Sequence, residues 1–251
     1  MGQSVALRDI NRLYRMMTSV ENNIGGGEGV EGLYGSITGN HMERVLQSME
    51  KMTGLHGGSV LMDVGSGLCR PLVHALATGR ASTCVGVEVD EVKCVKADAF
   101  CAQVKKNIVA KDIKCSSSWD IDIVCRGVES MGTLNPVTHV YSFWEGVPGD
   151  AREGLGRLFQ ESLTAQAICV VQRAMRCDDP AEYMNDMYGF GPLELKDSFR
   201  VSMSGSGRSF MAYVFVKKEQ TNMIKRMFQE ERPTKNTIEV VPKKRKRLNR
   251  N

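Results

Sequence analysis

From Ser4 to Val20 the apolar residues Leu7, Ile10, Tyr14 and Met17 fall three to four positions apart. That spacing places them on one face of an amphipathic helix lying against an apolar surface. Ile24 to Gly32 then holds Gly25, Gly26, Gly27, Gly29 and Gly32, and glycine at this density does not sustain a helix or a strand cheaply. The stretch reads as a mobile hinge or lid. A phosphate cradle is the other reading, although the lysine followed by serine or threonine that such cradles use is missing. A second amphipathic helix is predicted from Asn40 to Met52, with Met42, Val45, Leu46, Met49 and Met52 on its inner face.

Strands and helices then alternate. Val60-Leu61-Met62-Asp63-Val64-Gly65-Ser66-Gly67 predicts a buried strand running into a tight turn. A short helix from Pro71 to Gly79 follows, then a strand from Ser82 to Val89, and a helix from Glu91 to Lys106 that Asp90 can cap. A polar link from Lys114 to Trp119 leads to strands at Ile121 to Cys125, His139 to Phe143 and Ala167 to Gln172, with a helix from Asp150 to Leu163 before the last. Such alternation predicts a parallel sheet covered on both faces. The chain ends differently, because Ser198 to Met203 and Ser209 to Val216 are joined by Ser204-Gly205-Ser206-Gly207-Arg208, a hairpin signal. The predicted class is therefore α/β, with a seven-stranded, mostly parallel sheet and a C-terminal hairpin. Residues 33–217 form the principal domain, 1–32 supply the N-terminal helix and glycine-rich loop, and 218–251 form a C-terminal extension.

Composition changes this picture little. At 251 residues, 42% hydrophobic and 25% charged, the chain suits one globular domain with extensions. No apolar run approaches the roughly 18 residues that span a bilayer. The eight cysteines contain no CxxC pair and the four histidines are scattered, so no metal site is expected and the thiols read as reduced, in an intracellular protein. Charge is more informative. Lys243, Lys244, Arg245, Lys246, Arg247 and Arg250 alone exceed the net charge of +4, so the remainder is slightly acidic and the basic character belongs to the tail.

Candidate chemistry gathers where the first strand ends. Gly65 and Gly67 let a ligand approach the backbone closely, and in open parallel sheets ligands sit beyond the carboxyl ends of the strands. Arg70 stands where a dinucleotide turn wants a third small residue. Asp63 precedes the first glycine by two residues, and Glu88 closes the next strand. A zwitterionic cofactor without phosphates, S-adenosylmethionine, suits this set better than NAD: Asp63 can bind its ammonium group and Glu88 its ribose hydroxyls.

In order along the chain, Leu33-Tyr34-Gly35-Ser36, Asp63-Val64-Gly65-Ser66-Gly67, Gly86-Val87-Glu88 and Val140-Tyr141-Ser142-Phe143-Trp144 resemble the motifs of the disruptor-of-telomeric-silencing methyltransferases. The chain is similar to a compact, protist-type member, over roughly Gly32 to Val216. The resemblance implies the class I S-adenosylmethionine-dependent methyltransferase fold and methylation of a histone H3 lysine in the nucleosome, hence a nuclear enzyme. It implies that Tyr34 and Gly35 close over the cofactor's methionine part, that Asp63, Gly65, Ser66 and Gly67 line it, and that Glu88 holds the ribose. Glu129 is the choice for the adenine amino group. Tyr34, Ser142, Phe143 and Trp144 are the catalytic set, shaping a lysine channel whose aromatics favour a neutral amine and tolerate the methylated cation; aromatics at strand ends also serve as plain core. Departures from the family are Ser36 for its acid, Cys69 for its third glycine, Arg70 for its glutamine and Ser142 for its asparagine. The other acceptors open to this fold are another protein or an RNA, and a catalytically silent chromatin-binding module is the non-enzymatic reading. The basic run from Lys243 to Arg250 reads as a nuclear import signal or a contact to nucleic-acid phosphates.

Overall fold

The computed structural model describes residues 7–24, 37–110, 119–204 and 208–218. The glycine-rich stretch after Ile24, Tyr34, Gly35 and Ser36, most of the polar link before Trp119, Gly205 to Gly207 and the basic tail lie outside the described residues.

Helix α1 spans Leu7–Asn23 and α2 spans Gly39–Thr53. Thr38 caps α2 through its side chain, and Gly54 ends it in the left-handed conformation that glycine adopts without steric cost. The alternating region follows: β1 Val60–Val64, α3 Arg70–Ala77, β2 Thr83–Glu88, α4 Glu91–Ala110, β3 Ile121–Cys125, β4 His139–Phe143, α5 Gly149–Glu161 and β5 Ala167–Gln172. Helix α6 Pro180–Tyr188 leads into the hairpin of β6 Leu193–Ser202 and β7 Ser209–Lys217.

The strands form one sheet in the order β3-β2-β1-β4-β5-β7-β6. The first five are parallel, and β7 runs antiparallel to both β5 and β6. Strand order reverses between β1 and β4, which opens a crevice beyond their carboxyl ends. The expected seven-stranded sheet and hairpin are both present.

Side-chain alternation along the strands divides the core. Leu61, Tyr141, Cys169 and Val171 meet Met42, Val45, Leu46 and Met49 of α2 on one face, whereas Met62, Val64, Val140 and Ile168 meet Leu155, Leu158 and Phe159 of α5 on the other. Helix α1 buries Leu13, Met16, Met17 and Val20 against Val73 and Ala77 of α3 and Phe100 and Val104 of α4. At roughly 1.5–3 kcal/mol for each large apolar side chain fully buried, this seam alone makes α1 part of the domain.

Two elements differ from the sequence expectation. Helix α6 is too short for a periodic signal, because only Ala181 and Met184 face the core. Its ends are nonetheless encoded: Asp179 accepts from the N–H groups of Ala181 and Glu182, Pro180 opens the first turn, and Gly189 closes the helix at φ +69°. Strand β6 begins at Leu193 rather than Ser198. Its first half carries Glu194, Lys196 and Asp197, with a bulge between Leu195 and Asp197; Lys196 pairs with Glu194, and Asp197 accepts from the Ser48 hydroxyl of α2 at 2.7 Å.

Candidate functional site

The turn after β1 is strapped to the end of β2. Gly65 and Ser66 donate their N–H groups to the carbonyl of Val87 at 2.8 and 3.1 Å, and Gly67 donates to Oε2 of Glu88 at 3.0 Å. Gly65 and Gly67 have φ of +78° and +51°, where glycine is unstrained. Cys69 has φ +61°, so a side-chain-bearing residue occupies a left-handed position at a cost of about 1 kcal/mol. Gly86 makes the close approach possible: a Cβ there would lie 2.8 Å from Cys69 Sγ and 2.9 Å from Ser66 Oγ.

This turn opens on a cavity of about 750 Å³ at the switch point of the sheet. Asp63, Gly65, Ser66, Gly67, Glu88, Glu129 and Phe143 all line it, so seven of the predicted site residues meet in one place. Asp63, opposite Gly86 on one side and Tyr141 on the other, is 2% exposed, and its carboxyl has no hydrogen-bond partner among the described residues. Burial, and then the nearby charge of Glu88, push its pKa well above the usual carboxylate range. The hydroxyl of Ser66 is also buried without a hydrogen-bond partner among the described residues. Glu88 is differently engaged. Its Oε2 holds Gly67 and its Oε1 accepts from the N–H groups of Val89 and Asp90 at 2.9 and 3.1 Å. A carboxylate offers about four acceptor sites, so Glu88 braces the turn and keeps one free; receiving both hydroxyls of a ribose requires it to release a backbone N–H.

Glu129 sits on a short 3-10 turn, Val128–Ser130, after β3. Gly154 of α5 abuts it, since a Cβ there would come within 2.6 Å of the Glu129 backbone. Arg70 opens α3 and also lines the cavity. One of its nitrogens donates to Glu21 Oε2 of α1 at 2.8 Å, its guanidinium lies 5.3 Å from the Tyr14 ring centre, and its buried Nε–H has no partner among the described residues.

The strand-four residues separate. Phe143 faces the cavity and packs edge-on against Phe210, with ring centres 5.1 Å apart. Ser142 points the other way, and its buried hydroxyl donates to the carbonyl of Val64 at 2.8 Å. Trp144 is 0% exposed, packed between Tyr188 and Phe190 under the guanidinium of Arg152. Period-two alternation puts Ser142 and Trp144 on the α5 face, away from Phe143. The expected catalytic set is corrected accordingly: of Ser142, Phe143 and Trp144, only Phe143 reaches the cavity. Tyr34 and Gly35 lie outside the described residues.

Sequence reasoning missed the wall supplied by α1, where Thr18, Glu21 and Asn22 face the cavity. Nothing local signals it, because the contact from Glu21 to Arg70 spans 49 residues. It also missed Ser204, which reaches the rim from the hairpin. Among the described residues no group of three or more histidine, cysteine, aspartate or glutamate side chains is arranged to hold a metal, and no helix is long and apolar enough to cross a membrane.

No family model and no curated protein matches the sequence. Solved structures do. A Listeria monocytogenes protein assigned as a class I S-adenosylmethionine-dependent methyltransferase aligns with a TM-score of 0.59 at 8% identity, over 83% of this chain and 68% of that one. A Pyrococcus horikoshii protein assigned as an RNA methyltransferase aligns with a TM-score of 0.51 at 14% identity, over 82% of this chain and 98% of that one. Neither is described as a histone methyltransferase, so the family resemblance in the motifs finds no counterpart here. With its strand order, its antiparallel terminal hairpin and these neighbours, the chain has the class I S-adenosylmethionine-dependent methyltransferase fold.

Proposed function

We propose that this chain transfers a methyl group from S-adenosylmethionine to a macromolecular acceptor. The observation that carries this reading is Asp63, a buried carboxyl without a hydrogen-bond partner among the described residues, set beside a glycine turn in a cavity at the sheet's switch point. Such a group calls for a cationic ligand atom, and the cofactor's ammonium group answers it. The guanidinium of Arg70, which lines the cavity, suits the carboxylate of the same amino-acid moiety, and Glu88 and Glu129 suit ribose and adenine. The sulfonium supplies an already activated methyl group. What remains for the protein is to align the acceptor and keep water out, work that suits Phe143 at the cavity wall.

Two acceptors have specific support, and both present themselves on a polyphosphate. The motif order from Tyr34 to Trp144 supports a histone H3 lysine on a nucleosome in the nucleus, with Lys243 to Arg250 serving import and DNA contact. The fold of the Pyrococcus RNA methyltransferase supports an RNA. The described residues lend more to the second reading. A lysine channel retains only Phe143 of the aromatics assigned to strand four, and the resemblance rests on Tyr34 and Gly35, which lie outside them. Against RNA stands the lack of an Asn/Asp-Pro-Pro-aromatic motif after β4, where Ser142-Phe143-Trp144-Glu145 is found.

Transfer of labelled methyl groups to nucleosomes, free histones and RNA tests these readings together. Label on histone H3 upholds the lysine acceptor and label on RNA alone upholds the RNA acceptor. Cofactor binding with no transfer to any of them would make the chain a silent binding module. Absence of binding heat for both S-adenosylmethionine and S-adenosylhomocysteine would refute the methyltransferase itself. Deleting the residues after Val241 is expected to lower nuclear accumulation and nucleosome or RNA binding, the latter most at low salt.

A further inference from the structure

Among the described residues, α1 is the one helix lining the cavity that is not a crossover helix of the sheet, and it is tied down twice. At its far end Glu21 holds Arg70. At its middle Tyr14 enters a buried polar relay. The Tyr14 hydroxyl meets His74 Nδ1 at 3.1 Å, and His74 Nε2 meets Glu43 Oε2 at 2.9 Å. Arg80 donates to both oxygens of Glu43 at 2.9 and 2.8 Å and, through Nε, to Glu50 at 2.8 Å. Gln47 completes the set by donating to Glu43 Oε1 at 2.8 Å.

Chemistry fixes the direction of each bond. Burial raises the Glu43 pKa, but hydrogen bonds from His74 and Arg80 outweigh it and hold the group below the usual range, so Glu43 is an ionised acceptor. His74 Nε2 therefore carries the proton. Burial lowers the His74 pKa against the pull of Glu43, which leaves the ring neutral and Nδ1 an acceptor. Tyr14, whose pKa is pushed up by burial, keeps its proton and donates it.

The relay joins α1, α2, α3 and the approach to β2, and α1 brings three residues to the cavity. Thr18, Glu21 and Asn22 lie four, seven and eight residues beyond Tyr14, on the same stripe of the helix. The Tyr14 ring also seats against the start of α2, where a Cβ on Gly39 would stand 2.8 Å from it. A change in the seat of Tyr14 therefore shifts all three cavity residues together.

We infer that Tyr14, His74, Glu43 and Arg80 form a positioning relay that sets the depth and rotation of α1, so that Thr18, Glu21 and Asn22 face the cofactor and Glu21 can hold Arg70. The inference rests on the cofactor reading proposed above. Tyr14→Phe keeps the ring, its packing on Gly39 and its contact with Arg70, and removes only the hydroxyl. Calorimetric titration with S-adenosylhomocysteine and amide hydrogen exchange over α1 are run on the same preparation. The variant is expected to bind about fivefold more weakly, the effect of one net hydrogen bond. Exchange at Thr18 to Asn23 is expected to quicken, exchange in β1 and β4 to stay as it was, and saturating ligand to restore protection. Glu21→Gln leaves the relay whole and should weaken binding alone; combined with Tyr14→Phe it should cost less than the sum of the two, because both act through one seat. A lowered thermal midpoint with unchanged affinity would make the relay a structural brace only and overturn the inference. Should the unmodified protein bind no ligand, it is the cofactor reading that falls; the exchange arm then judges the relay alone, and unchanged α1 exchange in Tyr14→Phe overturns it.

Discussion

Replacing Asp63 with asparagine separates what this carboxyl does to the fold from what it does for a ligand. It is buried, unpartnered among the described residues, and raised in pKa by burial and by the charge of Glu88. A folded-state pKa above the unfolded value means that the contribution to stability is fully present below the unfolded pKa, about 3.9, and is lost as pH rises through the folded pKa. Near neutrality the protein therefore carries a penalty that an isosteric amide lacks. Asp63→Asn is expected to raise the melting temperature of the ligand-free protein, by about 2–4 °C for each kcal/mol recovered in a chain of this size. The gain should be larger at pH 8 than at pH 5, as the sign requires. Binding should move the other way. A hydrogen bond to a charged group is worth about 1.5–3 kcal/mol, so affinity for S-adenosylhomocysteine should fall about 10- to 150-fold, and the ligand-induced rise in melting temperature should shrink with it. Thermal melts across that pH range, with and without ligand, and calorimetric titration measure both effects. A variant less stable than the parent at pH 8, with unaltered affinity, would refute the reasoning, for it would show that Asp63 serves the fold and meets no cation.

Three further substitutions probe the rest of the site. Gly86→Ala drives a methyl group against Cys69 and Ser66, and should cost about 1–3 kcal/mol in a denaturant titration while weakening cofactor binding; full retention of both would mean that the turn does not need its seat on β2. His139, at the start of β4, has a pKa lowered to about 4 by burial, so the unfolded chain takes up the proton first. Stability should fall as pH drops from about 6.5 toward 4, by up to about 3 kcal/mol, and His139→Gln should flatten that slope in urea midpoints. Phe143→Ala should lower turnover more than cofactor affinity, whereas Trp144→Phe should lower the melting temperature and leave turnover near the parent value. The reverse pattern would return Trp144 to the acceptor channel.

What could be read in advance follows the range of the interactions concerned. Strands β4 and β5 begin and end where the apolar runs do, at His139 to Phe143 and Ala167 to Gln172, because a strand in the middle of a covered sheet is largely apolar. The meeting of Asp63, Gly65, Gly67 and Glu88 was legible for a related reason. Successive parallel strands bring their carboxyl ends to one edge, so two acids and a glycine turn at strand ends are neighbours by topology. Strand four was half legible. Alternation assigns Phe143 to one face and Ser142 and Trp144 to the other, but which face opens on a cavity depends on α5 covering its side with Leu155, Leu158 and Phe159. Helix α6, with two core residues, fell below any periodic signal.

Arg70 shows the limit most sharply. In the sequence it is an absence, the missing small residue that turns the reading away from a dinucleotide. In the fold it is a contact, with one nitrogen on Glu21 of α1 and its guanidinium near the Tyr14 ring. A glycine at that position lets a helix pack closely against a strand; an arginine reaches outward and fastens a helix from 49 residues earlier over the turn. The substitution that weakens one ligand assignment thus fastens a wall of the cavity for another. No window of sequence joins the two halves of that exchange, because one half is steric and local and the other is electrostatic and long-range.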